Sequence, residues 1–106
     1  MVEKRRQHRL KKIIGVRYII EGGQEHLAST IDISTSGVAF LTANEVSPST
    51  DFTLIMLDDK EEELSYRGKI IRCKSQTGFF VIAGEFETMP AEKVNELDEY
   101  INSYEN

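Results

Sequence analysis

The stretch LSYRGKIIRCK, residues 64–74, puts Leu64, Tyr66, Gly68, Ile70 and Arg72 in one phase and Ser65, Arg67, Lys69, Ile71 and Cys73 in the other. A repeat of two is the repeat of a pleated strand, whose side chains alternate between faces. Five further stretches read as strands. IIGVRYIIE (13–21) is apolar and β-branched, and HLASTIDI (26–33) sets Leu27, Ser29 and Ile31 against Ala28, Thr30 and Asp32. VAFLT (38–42) is a short buried run, DFTLIML (51–57) sets Phe52, Leu54 and Met56 against Thr53, Ile55 and Leu57, and FFVIAGEF (79–86) comes last. Turn signals separate them: GGQ, STSG, ANEVSPST with its Pro48, DDKEEE and SQTG. Small hydroxyl residues bond local backbone, proline is barred from mid-strand pairing, and a glycine such as Gly37 can take positive φ.

The period then changes. Pro90 suits the first turn of a helix, and Val94, Leu97, Ile101 and Tyr104 recur along one apolar stripe, with Glu92, Asn95, Glu96 and Glu99 opposite. Short strands joined by turns suggest an antiparallel sheet closed on itself, since closure removes exposed edges. The expected fold is therefore all-β: a six-stranded antiparallel barrel over 13–106 with a C-terminal α-helix packed on it, preceded by a flexible basic arm over 1–12.

A chain of 106 residues is one domain of common size. No apolar run approaches the ~20 residues of a membrane span, so no membrane insertion is expected. The N-terminus has no apolar signal region, which points to a cytoplasmic protein. Cys73 is the one cysteine, so no internal disulfide forms. With only His8 and His26 beside it a zinc set is hard to assemble, and Cys73 reads as a packed thiol. No metal or cofactor is expected. No serine, histidine and acid are spaced as a triad, no phosphate-binding glycine loop of the nucleotide-hydrolase type is present, and the acids Glu61, Glu62 and Glu63 read as a solvated turn.

Charge is unevenly spread. Residues 1–17 hold seven Lys/Arg and one acid, for +6, whereas residues 18–106 hold six Lys/Arg and seventeen acids, for −11. An acidic body argues against broad nucleic-acid binding, which draws its affinity from neutralising many phosphates. A cationic arm still suits a small, compact anion.

Two short patterns frame that anion. Arg5-x-x-x-Arg9 precedes the first strand, and Asp32-x-Ser34-x-x-Gly37 spans the turn between the second and third. Each alone is generic: a basic tail, and a turn in which Asp32 or Ser34 bonds its own backbone. Together, in this order and spacing, they resemble the PilZ domain, the bacterial receptor module for cyclic di-GMP. EKRRQHRLKKIIGVRY is similar to that family's arginine-rich entry into its first strand, TIDISTSGVAFLT to its D-x-S-x-x-G signature, and GKIIRCKSQTGFFVIAGEFE to its closing hairpin. The resemblance runs over about residues 3–103 and implies a PilZ-like (split) barrel. One departure stands near the end: Ala83 holds the place, three residues before Phe86, where the family often has glycine, and Gly84 follows it.

The resemblance implies a cyclic di-GMP pocket formed by Arg5, Arg9, Asp32, Ser34 and Gly37, with Arg6 a further candidate for a phosphate contact or a stack. The chemistry suits the ligand. A planar guanidinium meets guanine O6 and N7 with two parallel hydrogen bonds and stacks on a purine face. A carboxylate accepts from guanine N1–H and N2–H₂, and a serine hydroxyl reaches base or phosphate without bulk. The implied function is a receptor without catalytic activity, monomeric or weakly dimeric, whose ligand folds the arm over the barrel and alters a surface for an unidentified protein effector. The other reading is an adaptor of the same fold that binds no nucleotide. A ligand pair instead of a single nucleotide would need extra cationic surface, for which Arg6 and Arg17 are the candidates.

Overall fold

The computed structural model describes residues 9–104. Six strands form one closed antiparallel barrel: β1 (Ile14–Ile20), β2 (Glu25–Ile33), β3 (Gly37–Thr42), β4 (Asp51–Leu57), β5 (Glu63–Gln76) and β6 (Phe79–Phe86). The order around the barrel is β1-β2-β3-β6-β5-β4, with β4 closing back on β1. One helix follows, α1 (Ala91–Ser103). The expected architecture is thus the observed one.

Inward positions make the core. Tyr18, Phe40, Phe52, Tyr66 and Phe86 form a chain of tilted rings whose neighbouring centroids lie 4.9–6.4 Å apart. Truncating one such ring to alanine costs about 3–5 kcal/mol. Gly84 makes room for this chain, because a Cβ there would lie 2.6 Å from the Phe52 ring. The buried hydroxyls are paired: Tyr18 Oη and Thr42 Oγ1 are 2.7 Å apart, and Thr30 Oγ1 donates to the Lys12 carbonyl at 3.0 Å.

Helix α1 adds its apolar side to the barrel core. Pro90 is its N-cap residue, one position before the first turn where the sequence suggested it. Leu97 and Ile101 are fully buried, as the stripe requires, and Tyr100, which the stripe omitted, is buried with them. Glu96, expected on the outer side, instead accepts a hydrogen bond of 2.8 Å from Tyr66 Oη. Burial and this carboxylate push the Tyr66 phenol well above its ordinary range.

Two irregularities redirect side chains. The β2–β3 register pairs Thr30 with Phe40 and Asp32 with Ala39, so Ile31 is an extra residue. The β5–β6 register pairs Ile70 with Gly84 and Arg72 with Ala83, so Ile71 is extra. Each is a one-residue bulge, which reverses the faces of everything beyond it. Strict alternation had grouped Asp32 with Thr30 and Arg72 with Ile70. The bulges turn Asp32 and Arg72 outward and bring Cys73, partly buried against the core, inward.

Candidate functional site

The chain reaches the barrel before β1 begins. Leu10 exchanges two backbone hydrogen bonds with Ile33, at 2.8 and 3.0 Å, and its side chain is 2 % exposed. The anchored chain therefore starts by residue 10, inside the 1–12 segment expected to be a free arm, because one leucine finds a place in the core. Lys12 stands over the Tyr104 ring at 5.9 Å, beside the end of α1.

Anchoring Leu10 presents Arg9 to the outer face of β2. Arg9 Nη2 donates to Asp32 Oδ2 at 2.7 Å and Nε to the same oxygen at 3.2 Å. The hydrogen bonds and the charge of Asp32 raise the already high Arg9 pKa, so the guanidinium stays cationic. Asp32 Oδ1 is buried and has no hydrogen-bond partner among the described residues. A buried carboxylate oxygen left unpaired is costly, and it is free to accept from a ligand donor.

Ser34 is 2 % exposed. Its N–H donates to the Gly37 carbonyl at 2.9 Å, and its Oγ accepts the Ser36 N–H at 3.2 Å and lies 3.1 Å from Ser36 Oγ. Its first role is to hold the turn, the local reading the sequence allowed. The Phe86 N–H, donating to the Ser36 carbonyl at 2.8 Å, ties that turn to β6. Gly37 is the first residue of β3, and its φ is not positive. It is required for a different reason: a Cβ there would lie 2.5 Å from the Gly84 carbonyl oxygen. The bare glycine lets β3 and β6 close up beside Asp32.

Arg9, Asp32, Ser34 and Gly37 are therefore brought together, while Arg5 and Arg6 lie outside the described residues. The sequence reading missed Arg72. Direct pairings run Asp32–Ala39, Ala39–Ala83 and Ala83–Arg72, so these four share one row across β2, β3, β6 and β5, all on the outer face. Three strand spacings put the row's ends ~14 Å apart. Two alanine methyls form a low floor between them. Ala83, in the place of the expected glycine, is half of that floor, while Gly84 faces the core. Arg72 is exposed and makes no ion pair among the described residues. The available signal was a charge in phase with core residues, which in an otherwise regular strand marks a bulge.

Arg17 does not join the site. It donates to Glu25 at 3.0 Å and to Glu63 at 2.7 Å, so its charge is spent across β1, β2 and β5. A cavity of about 710 Å³ lies between the 58–62 turn and α1. Asp58, Asp59, Glu62, Glu96 and Glu99 line it, which makes it unsuited to a dianion. No group of metal-ligating side chains occurs among the described residues, and no helix of them is long and apolar enough to cross a membrane.

Comparison with known proteins agrees with this fold. A family model described as the PilZ domain matches residues 3–103. No curated protein sequence matches the chain. Among solved structures, the PilZ domain of YcgR from Escherichia coli with c-di-GMP superposes with a TM-score of 0.76 at 12 % identity, covering 97 % of this chain and 92 % of that one. The inhibitor of motility MotI/DgrA of Bacillus subtilis gives 0.75 at 16 % identity over 98 % of this chain, which spans about half (52 %) of that protein. The PilZ domain of CeSA from a cellulose-synthesizing bacterium gives 0.70 at 20 % identity, covering 93 % and 99 %. At these identities the structural likeness shows the fold.

Proposed function

The chain belongs to the PilZ domain family, nucleotide-binding receptor modules rather than enzymes, and on that premise we propose that it is a cyclic di-GMP receptor whose ligand lies on the outer face between Asp32 and Arg72. The observation that carries this is the juxtaposition of Arg9 with Asp32, 23 residues apart in sequence, beside a buried carboxylate oxygen that has no partner among the described residues. Asp32 Oδ1 accepts from guanine N1–H or N2–H₂. Arg9, pivoting on its existing bond to Asp32, offers its remaining N–H groups to O6 and N7 or to a phosphate. The alanine floor admits a flat base, and Arg72 meets the second half of the ligand with a stack or a phosphate contact. Arg5 and Arg6 complete the cationic enclosure from the N-terminal side.

Ligand binding is proposed to order the residues before Arg9 over the barrel and so to alter the surface offered to a protein effector. Greater hydrogen-exchange protection of residues 3–8 with ligand supports this, and equal protection in both states rejects it.

One observation favours the adaptor reading. Arg9 is already bound to Asp32 Oδ2 through two hydrogen bonds, as in a purely structural pair. Calorimetric titration with cyclic di-GMP, GTP and cyclic di-AMP separates the two. Saturable binding of cyclic di-GMP alone, with its stoichiometry, supports the receptor. No heat with any of the three leaves the adaptor.

A further inference from the structure

The outer face continues past the nucleotide row. Two residues further along the strands from the Ala39–Ala83 pair, Leu41 pairs with Val81, flanked by Ser29 on β2 and Lys74 on β5. Beyond these, Leu27 and Phe79 stand on the same face at 79 % and 38 % exposure. Leu27, Leu41, Val81 and Phe79 are therefore neighbours, directly or diagonally, across three strands. None of them is needed for the core, which lies on the other side of the same strands.

The rim is cationic on an otherwise acidic body. Lys74, exposed, makes no ion pair among the described residues, and neither does Arg72 one row away. Glu25, two residues before Leu27 on that face, is already paired with Arg17 at 3.0 Å. An apolar centre with unspent cations on one side is complementary to a surface of reversed rim charge.

We infer that this face is a protein-docking surface whose occupant presents aliphatic or aromatic side chains flanked by carboxylates. Leu27 and Phe79 are its anchors, and Lys74 sets the preference for acid. The surface adjoins the nucleotide row, so a bound nucleotide and the occupant share a border along the Ala83–Val81 edge. Its anchors and Lys74 lie outside the nucleotide site, so the inference is testable whether or not nucleotide binds.

The test uses the full chain, with and without cyclic di-GMP, as bait for a displayed random peptide library. Enriched peptides are then measured by calorimetry against wild type, Leu27→Ser, Phe79→Ser and Lys74→Glu. All three substitutions are at exposed positions, and circular dichroism checks their fold. The expected result is enrichment of peptides combining Leu, Phe or Trp with Asp or Glu. Their affinity drops at least tenfold in Leu27→Ser and Lys74→Glu, with cyclic di-GMP affinity unchanged in Leu27→Ser. No enrichment, neutral or basic peptides, or affinities undiminished in all three variants would overturn it. So would sedimentation showing a dimer that Leu27→Ser dissolves, since the occupant is then a second copy of the chain. If cyclic di-GMP fails to bind wild type, only the receptor reading falls, and the nucleotide-free arm still decides the docking surface.

Discussion

Replacing Arg72 by alanine separates the outer-face site from a site made of the two signature segments alone. Arg72 is exposed and makes no ion pair among the described residues, so its loss leaves no orphaned group, and stability should stay within about 0.5 kcal/mol of wild type. Its value to binding is that of a charge-assisted contact to base or phosphate, about 1.5–3 kcal/mol. The lower end applies because the guanidinium is solvated. At about 1.4 kcal/mol per decade, calorimetry should show cyclic di-GMP affinity reduced roughly tenfold. Lys60→Ala, in the β4–β5 turn, removes the same charge elsewhere and controls for general electrostatics. Its affinity should fall less than twofold in 150 mM salt, where the screening length is about 8 Å. If Arg72→Ala bound within twofold of wild type, the row from Asp32 to Arg72 would not be the floor on which the ligand rests.

Arg9→Ala should weaken cyclic di-GMP at least tenfold in the same assay and cost about 1–3 kcal/mol of stability, since it leaves the Asp32 carboxylate, only 19 % exposed, without its partner. Gly37→Ala should lower the urea-unfolding free energy by about 1–3 kcal/mol, because the new methyl presses on the Gly84 carbonyl and on backbone that cannot turn away. Tyr66 carries a pH prediction. Its phenol is raised in the folded state by burial and by Glu96, so above about pH 10 the unfolded chain loses that proton first and stability declines as pH rises. In Tyr66→Phe, urea titrations from pH 9 to 11 should show a shallower decline. An unchanged slope would mean that burial and Glu96 do not raise the Tyr66 phenol in solution.

The sequence carried the strand inventory because each strand is bracketed by residues that cannot continue it. DFTLIML and FFVIAGEF match β4 and β6 residue for residue, with Pro48 and the charged run 58–63 around one and the Thr77–Gly78 turn before the other. What escaped was set by non-local contact. Leu10 sits in a basic stretch and reads as arm until Ile33 is seen opposite it. Glu96 reads as solvent-facing until Tyr66 reaches it. The bulges at Ile31 and Ile71 add one residue each without any glycine or proline to mark them, so alternation sent Asp32 and Arg72 to the wrong face. Gly37 was legible as necessary but not for its reason, which is the Gly84 carbonyl of a strand more than forty residues away. That Arg9 and Asp32 belong to one site was implied only by the family resemblance, whereas Arg72 required the register of three strand pairs.

The most direct measurement is amide chemical-shift mapping of the full chain titrated with cyclic di-GMP. Binding on the outer face should move Arg9, Asp32 to Ala39, Ala83 and Arg72 most, and leave the 58–62 turn still. Shifts centred on that turn and α1, or none at saturating nucleotide, would contradict it.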